Sequence, residues 1–498
     1  MISEQLRKAR AYEETHMPEI TAYERPCFHV TGGIGWINDP NGLSLYKGEY
    51  HLFYQYHPYD THWGPMHWGH VKTNDFISWE RLPIAMAPDT GYDCDGCFSG
   101  SAVETPDGKH LLMYTGVYKN PEDHKEYQTQ CIAVGDGLHY EKYEGNPVLT
   151  GKHVPEGGSQ TDFRDPKIWY DEELKKYFSV VGNRPADGSG MVVMYESEDG
   201  FHWKYRAVVD QCKNEYGKMW ECPDFFSLDG KQILFVSPMD MHPQGLEFHA
   251  GHGTVCILGS YDKQEAKFSR EKIQAIDYGI DFYAPQTLLA KDGRRIMIGW
   301  MQSWATSGNR VKESRWFGQM NLPRELSVRD GRLVQNPVRE LENYRGTLVK
   351  YDKVVLQEET VLEGIDGRVL DMTILLQPEN ANKLCDFTMK LAKNENYETT
   401  LFYDAKKQTI QIDRSASGLN LDMVHSRVFS VQPKENQLKL RVIMDRNSLE
   451  VFVNDGEQAA SFMLYTPAEV TGITFAAEDK LQMTVEKYDL VFEEECNE

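Results

Sequence analysis

Three acidic residues stand out because a proline lies one or two positions beyond each: Asp39-Pro40, Asp165-Pro166 and Glu221-Cys222-Pro223. Proline cannot donate to a β-ladder and is confined to strand starts, edges and bulges, so each acid is expected at the open start of a strand. Carboxyl groups gathered in one place repel, and at least one then keeps its proton to a higher pH than a free side chain does. One ionised carboxylate and one protonated carboxyl, on opposite sides of the bond to be broken, are what glycoside hydrolysis requires. The same trio could instead cap turns or bind a calcium ion, so the acids alone leave the choice open.

The elements that would bring these acids together are legible as a repeat. A tight turn followed by a short apolar strand occurs five times: Lys47-Gly48 before 49–54, Asp107-Gly108 before 109–114, Asp171 to Lys175 before 176–181, Asp229-Gly230 before 231–236, and Asp292-Gly293 before 294–298. Gly48 and Gly108 are 60 residues apart, and Gly230 and Gly293 are 63 apart. Trp79, Tyr140, Trp203 and Phe268 run in step at intervals of 61, 63 and 65. Helical periodicity is almost absent. Five hairpin-rich units of this size predict an all-β chain built on a five-bladed β-propeller, in which the first strand of each blade lines the axis. Nine residues before the turn glycine stand Asp39, Ser99, Glu221 and Ala284, and the equivalent of the third unit is Asp165. The repeat therefore predicts that the three acids converge.

The propeller domain is expected over 25–335, after a lead-in over 1–24 that is helical or loose, and the repeat itself is the guide to it. The repeat ends after Leu326, and 336–349 is a charged connecting segment. Alternating apolar strands over 350–498 predict a C-terminal β-sandwich, whose default role is packing against the propeller.

With 76 acidic against 53 basic side chains and a net charge of -23, the surface repels phosphate backbones and anionic lipid, so neither nucleic acid nor membrane is an expected partner. No stretch reaches the roughly 20 apolar residues of a membrane helix. Met1 to Ile20 has no apolar core of a secretory signal, and nine cysteines without finger spacing read as free thiols, so a cytoplasmic location is expected. His62, His67 and His70 invite a metal reading, but Gly64 and Pro65 preclude a helix there, and loop packing is the default. No metal and no cofactor is expected. Cys222 has no His-Asp pattern around it and reads as a packing residue.

The acids lie in ordered blocks: Trp36-Ile37-Asn38-Asp39-Pro40-Asn41-Gly42, Phe163-Arg164-Asp165-Pro166-Lys167 and Trp220-Glu221-Cys222-Pro223-Asp224. With them come Tyr50 to Tyr56, Trp68-Gly69-His70, Phe98-Ser99-Gly100-Ser101, Asp281-Phe282-Tyr283-Ala284-Pro285-Gln286, Gly299-Trp300-Met301 and Leu322-Pro323-Arg324-Glu325-Leu326. This set resembles the signature blocks of glycoside hydrolase family 32, the β-fructosidases that include invertases, fructan hydrolases and sucrose-6-phosphate hydrolases. A weaker match, Asp445 to Phe452, extends the resemblance to the C-terminal region.

The resemblance implies a retaining enzyme that removes a terminal fructosyl unit from sucrose, sucrose 6-phosphate or a short fructan. It implies Asp39 as nucleophile, Glu221 as general acid/base and Asp165 as transition-state stabiliser, with Arg164 keeping Asp165 ionised and Asn38 orienting Asp39. Gln55, Trp63, Phe98 and Ser99 resemble the family's fructose subsite, Ile37 belongs to the same block, and Trp36 and Trp300 resemble aromatics at its rim. Gly32, Gly33 and Gly35 stand where many relatives carry proline, which predicts a looser loop at that rim. A fructosyltransferase on the same acids and a non-catalytic fructan-binding lectin are the alternatives; the complete acid set argues against the lectin.

Overall fold

A computed structural model of the chain describes residues 2–307, 314–379, 383–419 and 424–492. Strands dominate, and the main helix, Glu4–His16, is N-capped by Ser3, which accepts from the Leu6 amide. That helix is docked rather than loose: Leu6 and Ala9 are buried and Arg10 donates to the Ile84 carbonyl at 2.7 and 2.9 Å.

Five sheets form from consecutive strands, and each is antiparallel across its main ladder. Their inner strands are Gly35–Tyr46, Gly96–Glu104, Phe163–Asp171, Trp220–Leu228 and Tyr283–Leu289. Each inner strand packs against the next, and the fifth returns to pack against the first, so the five close into a ring. Two residues, Trp316–Phe317, add in parallel to the start of the first inner strand and help close it. The repeated turns follow the sequence: Gly48, Gly108, Gly230 and Gly293 all have φ between +76° and +87°, and the third unit, lacking glycine, places Lys175 at +54°.

Beyond a short 3-10 helix, Arg339–Tyr344, the chain enters the long strand Arg345–Leu356. Two further antiparallel sheets follow, of six and five strands. Strand Leu481–Leu490 alternates buried and half-buried residues, the period of two expected when one face meets a core. Leu370, Met372 and Ile374 from one sheet share that core with Phe387, Met389 and Leu401 from the other.

This second unit is joined to the ring by buried charge. Glu450 accepts from Arg324 Nη2 at 2.6 Å and the Leu322 amide at 2.8 Å, while His29 sits between Asp445 at 2.8 Å and Glu450 at 3.1 Å. Arg414 pairs with Asp281 at 2.5 Å, both fully buried. Eight of the nine cysteines are free thiols, and Cys496 lies outside the described residues.

Candidate active site

Each inner strand carries a register break at its start. In the third, fourth and fifth, Arg164, Glu221 and Tyr283 are the last residues paired before the break, and the residue after each one, Asp165, Cys222 or Ala284, takes φ of +64°, +47° or +53°. A bulge inserts an extra residue and re-aims the side chains beside it, which is how these strand starts turn their side chains toward the ring's opening. The register corrects the repeat phase read from the sequence. Cys222, not Glu221, is the counterpart of Asp165 and Ala284; Glu221 matches Arg164 and Tyr283, one position earlier.

The offset is what lets the acids meet. The Cys222 amide donates to Asp165 Oδ2 at 3.0 Å, and its thiol donates to Asp39 Oδ2 at 3.5 Å. Glu221 is its chain neighbour, so one cysteine, through its amide, its thiol and its peptide bond, links all three acidic residues. Ser99 Oγ donates to Asp39 Oδ2 at 2.8 Å and Asn38 Nδ2 to Asp39 Oδ1 at 3.1 Å. The Asp165 amide is held by Thr115 Oγ1 at 2.9 Å. Glu221 receives Arg164 on Oε1, from Nη2 at 2.8 Å and Nε at 3.0 Å, and the Tyr283 hydroxyl on Oε2 at 2.7 Å. Arg164 Nε stays 4.0 Å from Asp165, so the guanidinium gives its hydrogen bonds to Glu221, while its charge still favours the ionised aspartate as expected.

The electrostatics follow from this crowding. Burial and then the charge of Glu221 raise the Asp39 pKa, against the donors Ser99, Asn38 and Cys222. Burial raises Asp165 to about 7, with Glu221 and Asp39 adding to it and Arg164 opposing. Burial among the same acids pushes the Cys222 thiol far above its ordinary range, so it is a neutral donor and not a nucleophile. Burial and neighbouring carboxylates thus both favour the protonated forms of Asp39 and Asp165.

Gln55 is buried, with Nε2 on the Cys97 carbonyl at 2.9 Å, while Trp63 is 48% exposed and meets the half-buried Phe98 edge-on at 5.7 Å. Trp36 and Trp300 do not form the rim. They are 1% and 0% exposed, packed with Phe317 and Trp304 in one aromatic cluster, and Trp36 Nε1 donates to Asn38 Oδ1 at 2.8 Å. Ile37 is fully buried in the apolar core. These three support the site from behind, because stacking and core packing leave their side chains no open face.

The glycine loop is also tighter than expected. Arg25 donates to the Gly32 and Gly33 carbonyls, a Cβ on Gly33 would meet the Glu13 side chain at 2.2 Å, and Gly35 sits at φ +73° with its Cβ direction blocked by the His57 carbonyl at 2.3 Å. Close approach, not looseness, is what glycine provides here. His62, His67 and His70 have separate partners, Asp60, the Pro65 carbonyl and His51.

Tyr283 and the amide of Cys222 are the two contributors that sequence reasoning passed over. The signal was present: Tyr283 immediately precedes Ala284, as Arg164 precedes Asp165.

The model of the Glycosyl hydrolases family 32 N-terminal domain matches residues 29–337, and that of the family's C-terminal domain matches 340–491. The chain belongs to glycosyl hydrolase family 32. Among its family 32 relatives, a sucrose-6-phosphate hydrolase of Zymomonas mobilis is 38% identical over 445 residues, covering 87% of this chain and 84% of that protein. A raffinose invertase of Escherichia coli is 36% identical, covering 89% of this chain and 90% of its own. A family 32 β-fructofuranosidase of Bombyx mori, solved as a variant in complex with sucrose, superposes with a TM-score of 0.84 at 32% identity, covering 98% of this chain and 99% of that one. The chain is thus a glycoside hydrolase, all-β, with the propeller and C-terminal domain of its family.

Proposed function

We propose that this family 32 enzyme is a retaining β-fructosidase that hydrolyses the terminal β-D-fructofuranosyl unit of sucrose, sucrose 6-phosphate or a short fructooligosaccharide in the cytoplasm. The observation that carries the reading is the convergence of Asp39, Asp165 and Glu221 on Cys222. The relatives hydrolysing sucrose 6-phosphate and the sucrose-bound Bombyx mori enzyme support the substrate class. The five sheets are the blades of a five-bladed propeller whose last strand is Arg332–Pro337, and the two-sheet unit that begins with strand Arg345–Leu356 is a β-sandwich, so the connection is shorter than the expected 336–349; the ring of inner strands supports the blade count.

In the first step an Asp39 oxygen attacks C2 of the fructosyl ring while Glu221 gives its proton to the departing glycosidic oxygen, releasing the glucosyl alcohol. Asp165 accepts hydrogen bonds from ring hydroxyls as positive charge develops at C2. In the second step water attacks C2, Glu221 takes its proton, and Asp39 leaves as a carboxylate, so configuration is retained. Tyr283 suits this alternation. Its hydroxyl lies 2.7 Å from Glu221 Oε2 and 2.9 Å from the Ser237 carbonyl, so its single proton goes to the glutamate when that is ionised and to the carbonyl when the glutamate itself donates. Gln55, Ser99 and Phe98 with Trp63 line the fructosyl pocket, and Trp36, Ile37 and Trp300 back it.

The test is release of fructose from sucrose. Asp39→Ala and Glu221→Gln are each expected to abolish it with the fold intact; near-normal turnover by either variant overturns the assignment.

A further inference from the structure

One cavity among the described residues lies away from the acids. It has a volume of about 640 Å³ and is lined by the distal halves of all five inner strands, among them Ser44, Ala102, Lys167, Asp224 and Thr287. Asp39 and Ser44 are five residues apart on one strand, or about 16 Å at 3.3 Å per residue. The acids and this cavity are therefore the two ends of one axis.

A polar plug separates them. Gln286 Nε2 donates to the Gly100 carbonyl at 2.8 Å, the Gly100 amide to Asn41 Oδ1 at 3.2 Å, and Ser101 Oγ to the Pro166 carbonyl at 2.7 Å. None of the three acids, and none of Gln55, Trp63, Phe98 and Ser99, lines this rear cavity.

Its walls combine flat apolar faces with two unmatched polar atoms. Asp224 Oδ1 is an acceptor and Arg295 Nε a donor, both buried in the wall without a hydrogen-bond partner. Asp224 is itself 1% exposed, and its other oxygen is committed to Lys167 at 3.1 Å and the Thr287 amide at 2.7 Å. Arg295 is fixed above the Phe226 ring at 4.6 Å, with Nη1 reaching Thr287 Oγ1 at 3.4 Å. At the mouth, Leu174 and Leu289 are 44% and 57% exposed, beside half-buried Trp169 and Tyr170.

The charge at the wall decides the kind of ligand. Five carboxylates, Glu104, Asp171, Glu172, Glu173 and Asp224, face four cations, Lys167, Arg206, Lys263 and Arg295. Lys263 bridges Asp171 and Glu173 at 3.1 Å each, and Arg206 holds Glu196 at 2.5 Å. An anion meets a surplus of acid, and a cation finds most carboxylates already paired. A neutral molecule that donates one hydrogen bond, accepts another and lays C–H faces on aromatic rings satisfies the wall, and hydroxylated rings have this mixed character. The volume lies in the range of small-molecule pockets.

We propose that the rear mouth of the propeller axis is a second saccharide site, binding a neutral sugar of one or two rings between Asp224, Arg295 and the Trp169–Tyr170 face, distinct from the reacting site. The choice of a sugar rests on the reading of the chain as a β-fructosidase.

Two probes test it by calorimetric titration: fructose with the unmodified enzyme, and sucrose with the Asp39→Ala variant. Two bound molecules per chain are expected with at least one probe. Arg295→Gln and Leu289→Glu, introduced separately, are expected to leave sucrose hydrolysis by the otherwise native enzyme unchanged, and loss of the second bound molecule in either one supports the site. A single bound molecule with both probes, or a second one untouched by both substitutions, overturns it. Failure of the unmodified enzyme to hydrolyse sucrose would instead strike the catalytic reading, and the fructose titration would still count the sites.

Discussion

Arg164 places both Nε and Nη2 on a single oxygen of Glu221, at 3.0 and 2.8 Å, and leaves the adjoining Asp165 at 4.0 Å. Its remaining Nη1 is held by Gln128 Oε1 at 3.2 Å and Asp162 Oδ1 at 3.1 Å, so the fork is locked from both sides. A locked guanidinium on Oε1 fixes where Glu221 presents Oε2, the oxygen that Tyr283 also meets, and lysine cannot reproduce that fork. Arg164→Lys is therefore expected to lower kcat at least about 10-fold and Arg164→Ala about 100- to 1000-fold, the scale on which a preorganised charged donor acts. Steady-state rates on sucrose with unchanged circular dichroism check this; a KM effect with full kcat would show that Arg164 only binds sugar.

Asp165 carries a stability cost that its replacement would reveal. Burial and its acidic neighbours raise its pKa to about 7 from an ordinary 3.8, so the folded state binds more protons than the unfolded one between those values. Stability then falls as pH rises through that window, and above it the buried charge costs on the order of 4 kcal/mol. Asp165→Asn keeps an acceptor for the Cys222 amide and removes the charge. It is expected to abolish turnover yet to raise the unfolding midpoint at pH 8, with the gain shrinking toward pH 4. A variant less stable than the native enzyme at pH 8 would contradict this balance.

The axial acids were legible because period and punctuation are local: a turn, a strand and a proline recur at fixed spacing, and a resemblance in ordered blocks supplied the roles. The one-residue displacement of Glu221 was not, since a bulge leaves no mark in a strand sequence beyond the shifted proline of Glu221-Cys222-Pro223. Burial of Trp36 was equally hidden, because it depends on Phe317 and Trp300, more than 260 residues away in sequence, packing against it. Likewise Asp445 and Glu450 stand in a recognisable motif, but that they hold His29 requires two domains in contact.

Histidines set opposite limits on the pH range of the fold. Between the first two blades, His51 Nδ1 meets His70 Nε2 at 2.9 Å, and His110 lies between Ser44 Oγ at 2.9 Å and the Tyr140 hydroxyl at 2.8 Å. Burial lowers His51 and His67 to about 4, and His70 and His110 well below the usual imidazole value. The unfolded chain therefore takes up more protons below about 6.5, and stability drops as pH falls from there toward 4, by about 2 kcal/mol at pH 5 for an imidazole titrating near 4. His29 acts in the other sense. Burial alone would lower its pKa, but hydrogen bonds to Asp445 and Glu450 raise it to about 9, so its contribution is complete below 6.5 and lost as pH rises through 9. Denaturant unfolding across pH is expected to show greatest stability near pH 7 to 8; a chain more stable at pH 5 than at pH 7 would refute the histidine account.

The C-terminal domain is expected to be indispensable to the propeller. Glu450 is 1% exposed, and although burial alone would raise its pKa, Arg324 and His29 hold it at about 2. Arg324 is fully buried, and two of its partners, Glu450 and the Ser461 hydroxyl at 2.6 Å, come from the C-terminal domain. Removing one member of a buried pair leaves the other charge without compensation, which costs about 3–5 kcal/mol. Glu450→Ala should lose that much in denaturant unfolding, with fructose release per folded molecule unchanged because no acid of the site is touched. Ending the chain at residue 345 goes further: it strips Arg324 and His29 of their C-terminal partners and uncovers Leu322 and Ile298, which share a core cluster with Phe452 and Ala459. Such a chain is expected to be insoluble, whereas a soluble, active propeller on its own would mean that this buried network confers orientation and not stability.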